Sequence, residues 1–231
     1  MHESACLWPQ RQPRRQGGRT SAEFRAGLRY SERAYVMLST LLIWLAAANL
    51  AALDNDYVLV MRDAAPCAQA ATPGCGDRVI IALGDVEVRS GETRRALARG
   101  DIAVFTAGQS YAAPSGGPYL EVAIKPDHPA AHSPGENIAP EKNAVRYDGD
   151  TFFVFEERLA PGDTRARHSH SERVVVQLNA TVLQQWPDGA PEMRVETVAD
   201  RVTFGRPVIH AVKNISDVPL RGIVIEFKPP R

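Results

Sequence analysis

Beyond residue 54 the apolar positions fall in short runs of β-branched and aromatic residues, separated by Gly, Pro, Asn and Asp. No long stretch carries apolar residues at the three-and-four spacing of an amphipathic helix, so the pattern predicts an all-β fold. One series of predicted strands covers Tyr57 to Met61, Arg78 to Leu83, Val86 to Arg89, Ile102 to Phe105 and Tyr119 to Ile124. A second covers Thr151 to Glu156, Arg173 to Leu178, Thr181 to Gln185, Arg194 to Thr197, Val202 to Phe204 and Gly222 to Phe227.

The two series repeat one another. The run Asp77-Arg78-Val79-Ile80-Ile81-Ala82-Leu83 parallels Glu172-Arg173-Val174-Val175-Val176-Gln177-Leu178 at an offset of 95. Glu121-Val122-Ala123-Ile124-Lys125-Pro126 parallels Val224-Ile225-Glu226-Phe227-Lys228-Pro229 at an offset of 103. Two copies of one β-unit are too few for a solenoid, and copies of this length close instead as two small antiparallel barrels side by side, which removes exposed sheet edges. The chain then divides into a first lobe (54–126), a Pro-rich connector (127–149) holding His128 and His132, and a second lobe (150–231).

Candidate chemistry is confined to the second lobe. His168 and His170 are two residues apart, so on an extended strand their side chains share a face. His210 follows the turn Phe204-Gly205-Arg206-Pro207 and opens a further strand that can bring it opposite the pair. Three imidazoles meeting across strands suit one divalent transition metal, whether iron, manganese, zinc, nickel or copper, with open positions for water or a small molecule. Each histidine also has an ordinary role, as a solvated pair at a barrel mouth or a core donor to a carbonyl. Arg165, Arg167 and Arg173 lie close by and could meet an anionic substrate, though arginines at strand edges are usually just solvated.

These positions resemble the cupin superfamily, whose first motif has a Gly, then His-x-His, then a Glu, and whose second has Pro, His and Asn. Gly162, His168 and His170 match the first motif, and Pro207, His210 and Asn214 the second. The resemblance spans roughly 55–229 and implies a bicupin: two tandem jelly-roll barrels, of which only the second keeps the metal motif. It also implies a ligand set of three His and one Glu. Glu172 stands nearest to that Glu but follows His170 by two positions, where the family spaces it further. On a straight strand its Cα would lie about 13 Å from that of His168, so sharing one ion needs a tight turn at Ser171. Asp77 occupies the same place in the first copy, without histidines, which favours a structural acid. In that copy Pro73 and Cys75 stand where the two histidines would, and Tyr111 stands for His210 if Phe105 aligns with Phe204. That lobe is expected to hold no metal.

Charge and targeting complete the picture. The formal net charge is zero, yet residues 1–36 carry seven Arg against three Glu, leaving the remainder mildly acidic without a basic stripe. Nucleic-acid binding is therefore not expected. No charged residue occurs from Tyr35 to Leu53, and Leu41-Leu42-Ile43-Trp44-Leu45 gives way to Ala46-Ala47-Ala48. Segment 37–53 thus reads as an export signal, cleaved after Ala48, or as an uncleaved membrane anchor; residues 1–36 read as a basic extension, disordered or upstream of the true start. In an exported, periplasmic or secreted protein, Cys67 and Cys75, flanking a turn-rich stretch, are expected to form a short-loop disulfide. The expected partner is a small molecule, handled by a metal-dependent enzyme of oxygenase, isomerase or decarboxylase type or by a binding module; a protein-contact scaffold is the third reading. Outer barrel strands are compatible with a homodimer.

Overall fold

The first copy builds β1 (Ala51–Asp54), β2 (Val58–Arg62), β3 (Arg78–Ala82), β4 (Val86–Ser90), β5 (Thr93–Leu97), β6 (Ile102–Phe105), β7 (Ala112–Gly116) and β8 (Tyr119–Ile124). The second builds β9 (Asn143–Asp148), β10 (Phe152–Leu159), β11 (Thr164–His170), β12 (Arg173–Gln177), β13 (Val182–Pro187), β14 (Met193–Glu196), β15 (Val202–Gly205), β16 (Val208–Asn214) and β17 (Leu220–Phe227). This computed structural model describes residues 51–69, 72–133 and 143–229, and no helix occurs among them. Segments 1–36 and 37–50 lie outside the described residues. Ala51 to Leu53, at the tail of the apolar segment, belong to β1 and pair with β2, so the fold begins before residue 54.

Each lobe has a five-stranded and a smaller sheet, in matching orders. The large sheets run β1-β2-β8-β3-β6 and β9-β10-β17-β12-β15. The small ones run β5-β4-β7 and β14-β13-β16, and in the second lobe β11 extends the latter beyond β16. The two sequence offsets become one ladder register: Val79 pairs with Val122 in the first lobe and Val174 with Ile225 in the second. The alignment of Phe105 with Phe204 slips by one, because Val79 pairs with Val104 where Val174 pairs with Phe204.

Strand alternation sorts side chains between three cores. On β3, Val79 and Ile81 face a cluster shared by both lobes, while Ile80 and Ala82 face the interior of the first barrel. Val174 and Val176 of β12, Val154 of β10 and Ile223, Ile225 and Phe227 of β17 join the shared cluster, so the two large sheets pack face to face. The first barrel is filled by Ile80, Val86, Val88, Leu97, Phe105, Tyr111 and Tyr119, among others. The second barrel's own cluster of buried apolar residues is only Leu159, Leu183, Val212 and Leu220. The same interior also holds Phe155 and the buried polar side chains of Arg165, His168, His170 and His210.

Arginines fasten the assembly. Arg99 binds the carbonyls of Leu83 and Leu178, equivalent positions in the two lobes, and the Asp200 carboxylate. Arg62 donates to the Asp200 carbonyl at 2.6 Å, and Asp200 holds a left-handed backbone (φ 61°) to present both groups. The connector also docks: Ala131 is buried in the shared cluster, and the His128 ring packs 5.5 Å from Tyr57 and 5.1 Å from Phe227. His128 is thus half-buried, against the exposed position its Pro-flanked setting suggests.

Candidate metal centre

β11 and β16 run antiparallel with His168 directly opposite His210, and His170 opposite Val208. The ladder slips between Arg165 and His168, a β-bulge that places three residues of β11 against two of β16. A bulge re-aims the side chains beyond it, so Arg165 and His168 both point inward although they are three residues apart. The ring centroids lie 4.6 Å apart for His168–His210, 4.8 Å for His168–His170 and 5.5 Å for His170–His210. One ring nitrogen from each falls within 4.8 Å of the others, and the residues are only 1%, 3% and 6% exposed.

Each ring is oriented through Nδ1. That of His168 donates to the Ala166 carbonyl at 2.8 Å, that of His170 to a Glu226 oxygen at 2.7 Å, and that of His210 faces Gln185 Oε1 at 3.3 Å. With the proton on Nδ1, the lone pair lies on Nε2. The Nε2 atoms of His168 and His210 are buried with no hydrogen-bond partner. Burial, chiefly, drives the His168 pKa down to about 4 and that of His210 to about 2, with neighbouring His and Arg charges adding to the effect. Neutral imidazoles with inward lone pairs, backed by outer acceptors, are the arrangement in which His ligates a cation. The trio could hold one divalent ion.

Glu172 is not part of this group. The chain leaves β11 at His170 and turns at Ser171 and Glu172 to enter β12 in the opposite sheet, which carries the carboxylate to the connector. There it accepts from the His132 backbone N at 2.8 Å and meets His132 Nδ1 at 2.6 Å. Burial alone would raise its pKa, but the His132 hydrogen bonds outweigh burial and hold it below the usual carboxylate value. Its counterpart Asp77 accepts from the Ala107 backbone N at 2.7 Å, so both copies use this acid to tie down a neighbouring loop.

The carboxylate beside the trio is Glu226, which the sequence reasoning missed. It accepts from His170 through one oxygen and from the Ser171 backbone N, at 2.9 Å, through the other. A signal existed: the offset of 103 sets Glu226 against Ala123, so the acid occurs only in the copy with histidines.

The other motif residues are scaffold. Gly162 needs its left-handed backbone (φ 79°) for the turn into β11, and its N bonds the carbonyl of Asn214, at the end of β16. Asn214, fully buried, donates to the carbonyls of Leu159 at 3.1 Å and Val218 at 2.8 Å and accepts from Ser216. Arg173 donates to the carbonyls of Ser171 and Arg206, and Arg78 to the equivalent Gly76 and Thr106, so its role is architectural in both lobes. Gly205 leaves room for it, since a Cβ there would sit 2.9 Å from the guanidinium carbon. Arg167 pairs with Asp188 on the surface. Arg165 is buried and paired with Glu157 at 2.8 Å.

Among the described residues the first lobe has no strand matching β11. Residues 63–77, which include Pro73 and Cys75, contain no strand among those described, and a disulfide joins Cys67 to Cys75. Tyr111 stacks on Phe105 (4.1 Å), and its hydroxyl bonds buried Glu121, which also accepts from the Cys67 N at 3.0 Å. Burial foremost, then the Glu121 charge, raises the Tyr111 pKa.

Two matched barrels, one bearing His-x-His and a third His at the motif positions, decide the architecture. The chain has a bicupin fold. The sequence matches no family profile and no curated protein. Among solved structures it is similar to a cupin domain from Bordetella pertussis Tohama I (24% identity, TM-score 0.36), covering 40% of this chain and 97% of that one. AerE from Microcystis aeruginosa is 16% identical at a TM-score of 0.46, over 75% of this chain and 88% of its own. A cupin 2 conserved barrel domain protein from Leptotrichia buccalis is 15% identical at 0.46, over 76% and 86%.

Proposed function

We propose that this bicupin binds one divalent transition metal through His168, His170 and His210 and uses it on a small molecule inside the second barrel. The observation that carries this reading is the pair of buried, unpartnered Nε2 atoms on His168 and His210. A buried polar atom left without a partner costs about 1–3 kcal/mol, so two facing one point need an occupant there. All-nitrogen ligation suits iron, manganese, zinc, nickel or copper, and a bound ion would supply Lewis-acid or redox chemistry for oxygenase, isomerase or decarboxylase reactions. Glu226 would set the orientation and basicity of His170. A non-catalytic binding barrel uses the same residues. The two are separated by whether the molecule that stabilises the protein is recovered changed or unchanged.

Export is part of the proposal. The uncharged run from Tyr35 to Leu53, with its Ala46-Ala47-Ala48, supports it, as does the Cys67–Cys75 disulfide, a feature of oxidising compartments. Cleavage after Ala48 would leave β1 intact.

The test is elemental analysis of protein expressed from Met37, purified without chelator. About one metal per chain is expected, falling below a tenth with all three histidines changed to Ala. Metal-free wild type, or full metal content in the triple variant, contradicts the proposal.

A further inference from the structure

Outside the barrel interiors, one group of charges is out of balance. Strand alternation turns Phe155 and Leu159 of β10 towards the second barrel, so Glu156 and Arg158 face the other way, on the side of Val154 and the shared core. Glu156 has no side-chain exposure and receives three guanidinium groups: Arg146 at 2.5 Å, Arg158 at 2.6 Å, and Arg221 through Nε at 2.8 Å and Nη2 at 2.7 Å. Burial would favour the protonated acid, but bonds from Arg158, Arg146 and Arg221 keep it ionised. Among the described residues no second carboxylate pairs with any of the three arginines, which leaves two positive charges in excess. Each guanidinium commits only one or two of its five N–H groups to Glu156, and the side chains of Arg146, Arg158 and Arg221 are 34%, 56% and 37% exposed.

The backbone holds this excess in place at a cost. Arg158 and Arg221 stand directly opposite each other on β10 and β17, and like charges so placed repel. Arg146 is the extra residue of a bulge in β9, between Val145 opposite Phe155 and Tyr147 opposite Val154. Gly100 of the first lobe makes room, since a Cβ there would sit 3.2 Å from Arg221 Nη2. Charged residues that serve the fold recur in both copies, as Arg78 with Arg173 and Asp77 with Glu172 do. This cluster does not recur: the strand registers set Arg62 against Glu156 and Pro118 against Arg221.

Beside the arginines, the ends of β10 and β17 frame an open cleft of about 500 Å³, lined by Arg158, Leu159, Ala160, Pro219, Leu220 and Arg221. We propose that Arg146, Arg158 and Arg221 hold a phosphate dianion, either free or as part of a small organic ester whose body lies in that cleft. The charge excess matches a dianion, and guanidinium forks bind phosphate oxygens in pairs. The site is independent of the metal reading, because it lies on the face of β10 turned away from the histidines.

The test is isothermal titration calorimetry of the full chain from Met37 in 0.1 M NaCl at pH 8, with inorganic phosphate and with phenyl phosphate. One saturable equivalent is expected; tighter binding of phenyl phosphate assigns the ester, and any other order assigns free phosphate. The double variant Arg146→Gln with Arg158→Gln leaves Arg221 paired with Glu156, so the charges balance, and it should bind phosphate about tenfold more weakly. Arg158→Gln alone, which leaves Glu156 two partners, should weaken binding severalfold and serves if the double variant fails to fold. The triple His→Ala variant should keep the wild-type affinity. Absence of saturable binding in wild type overturns the inference, as does unchanged affinity in a folded arginine variant or loss of binding in the folded triple His variant.

Discussion

At the residue scale, roles divide between atoms that face the centre and atoms that hold those in place. Glu226 touches His170 only through Nδ1, so Glu226→Gln keeps the side chain's size and removes the charge-assisted bond. Loss of such an outer partner typically weakens metal binding 10–100-fold, and competition with a chromophoric chelator should show a drop in that range. Glu172→Gln should leave the same titration within threefold of wild type, because Glu172 meets His132 instead. A loss as large as that of Glu226→Gln would place Glu172 at the metal after all. The three histidines were legible because their type, spacing and motif context were all local. Glu226 was not: it lies 56 residues from His170 and gains its meaning only once β17 lies beside β12.

At the scale of elements, the difference between the lobes is one strand. In the second lobe β11 brings His168, His170 and Arg165 to the interior; in the first, the corresponding stretch is a loop cross-linked across 8 residues. Closing a loop that short accounts for about 2–3 kcal/mol on chain-entropy grounds. Reducing the disulfide should lower unfolding stability by that amount, read from urea midpoints with and without reductant, while leaving metal content unchanged. Asn214 anchors the other end of the site strands through buried bonds, and Asn214→Ala should cost about 2–4 kcal/mol by leaving two carbonyls without donors. Strand positions and the internal repeat could be read from alternation and turn residues. The bulge in β11 and the one-residue slip at Phe105 could not, because register depends on hydrogen bonds to strands distant in sequence.

At the scale of the whole molecule, the lobes bury their large sheets against each other, Arg99 ties the two together, and a buried charge cluster braces the second. Glu156, with no side-chain exposure, receives Arg146, Arg158 and Arg221. Burial works to raise its pKa, but bonds from Arg158, Arg146 and Arg221 prevail and hold it at about 2. A carboxylate depressed in the folded state contributes its full stability above its unfolded value, 4.5, and loses it as pH falls from there towards 2. Glu156→Gln should flatten that part of the acid-side stability curve and lower stability at pH 7 by about 1–3 kcal/mol, measured by urea unfolding across pH. Arg99→Ala should loosen the seam by removing its three acceptors' donor, lowering the melting temperature without altering metal stoichiometry. The paired-barrel plan was visible in the repeat. Which face joins the lobes was not, since Val79 and Ile80 are equally apolar and only the assembled sheets separate their destinations.

X-ray absorption fine structure of the metal-loaded protein tests the convergence of the three rings most directly. The account predicts three imidazole nitrogens in the first shell at about 2.0–2.1 Å for zinc, the remaining positions filled by light oxygen donors and no sulfur. A shell with one imidazole or none would contradict it.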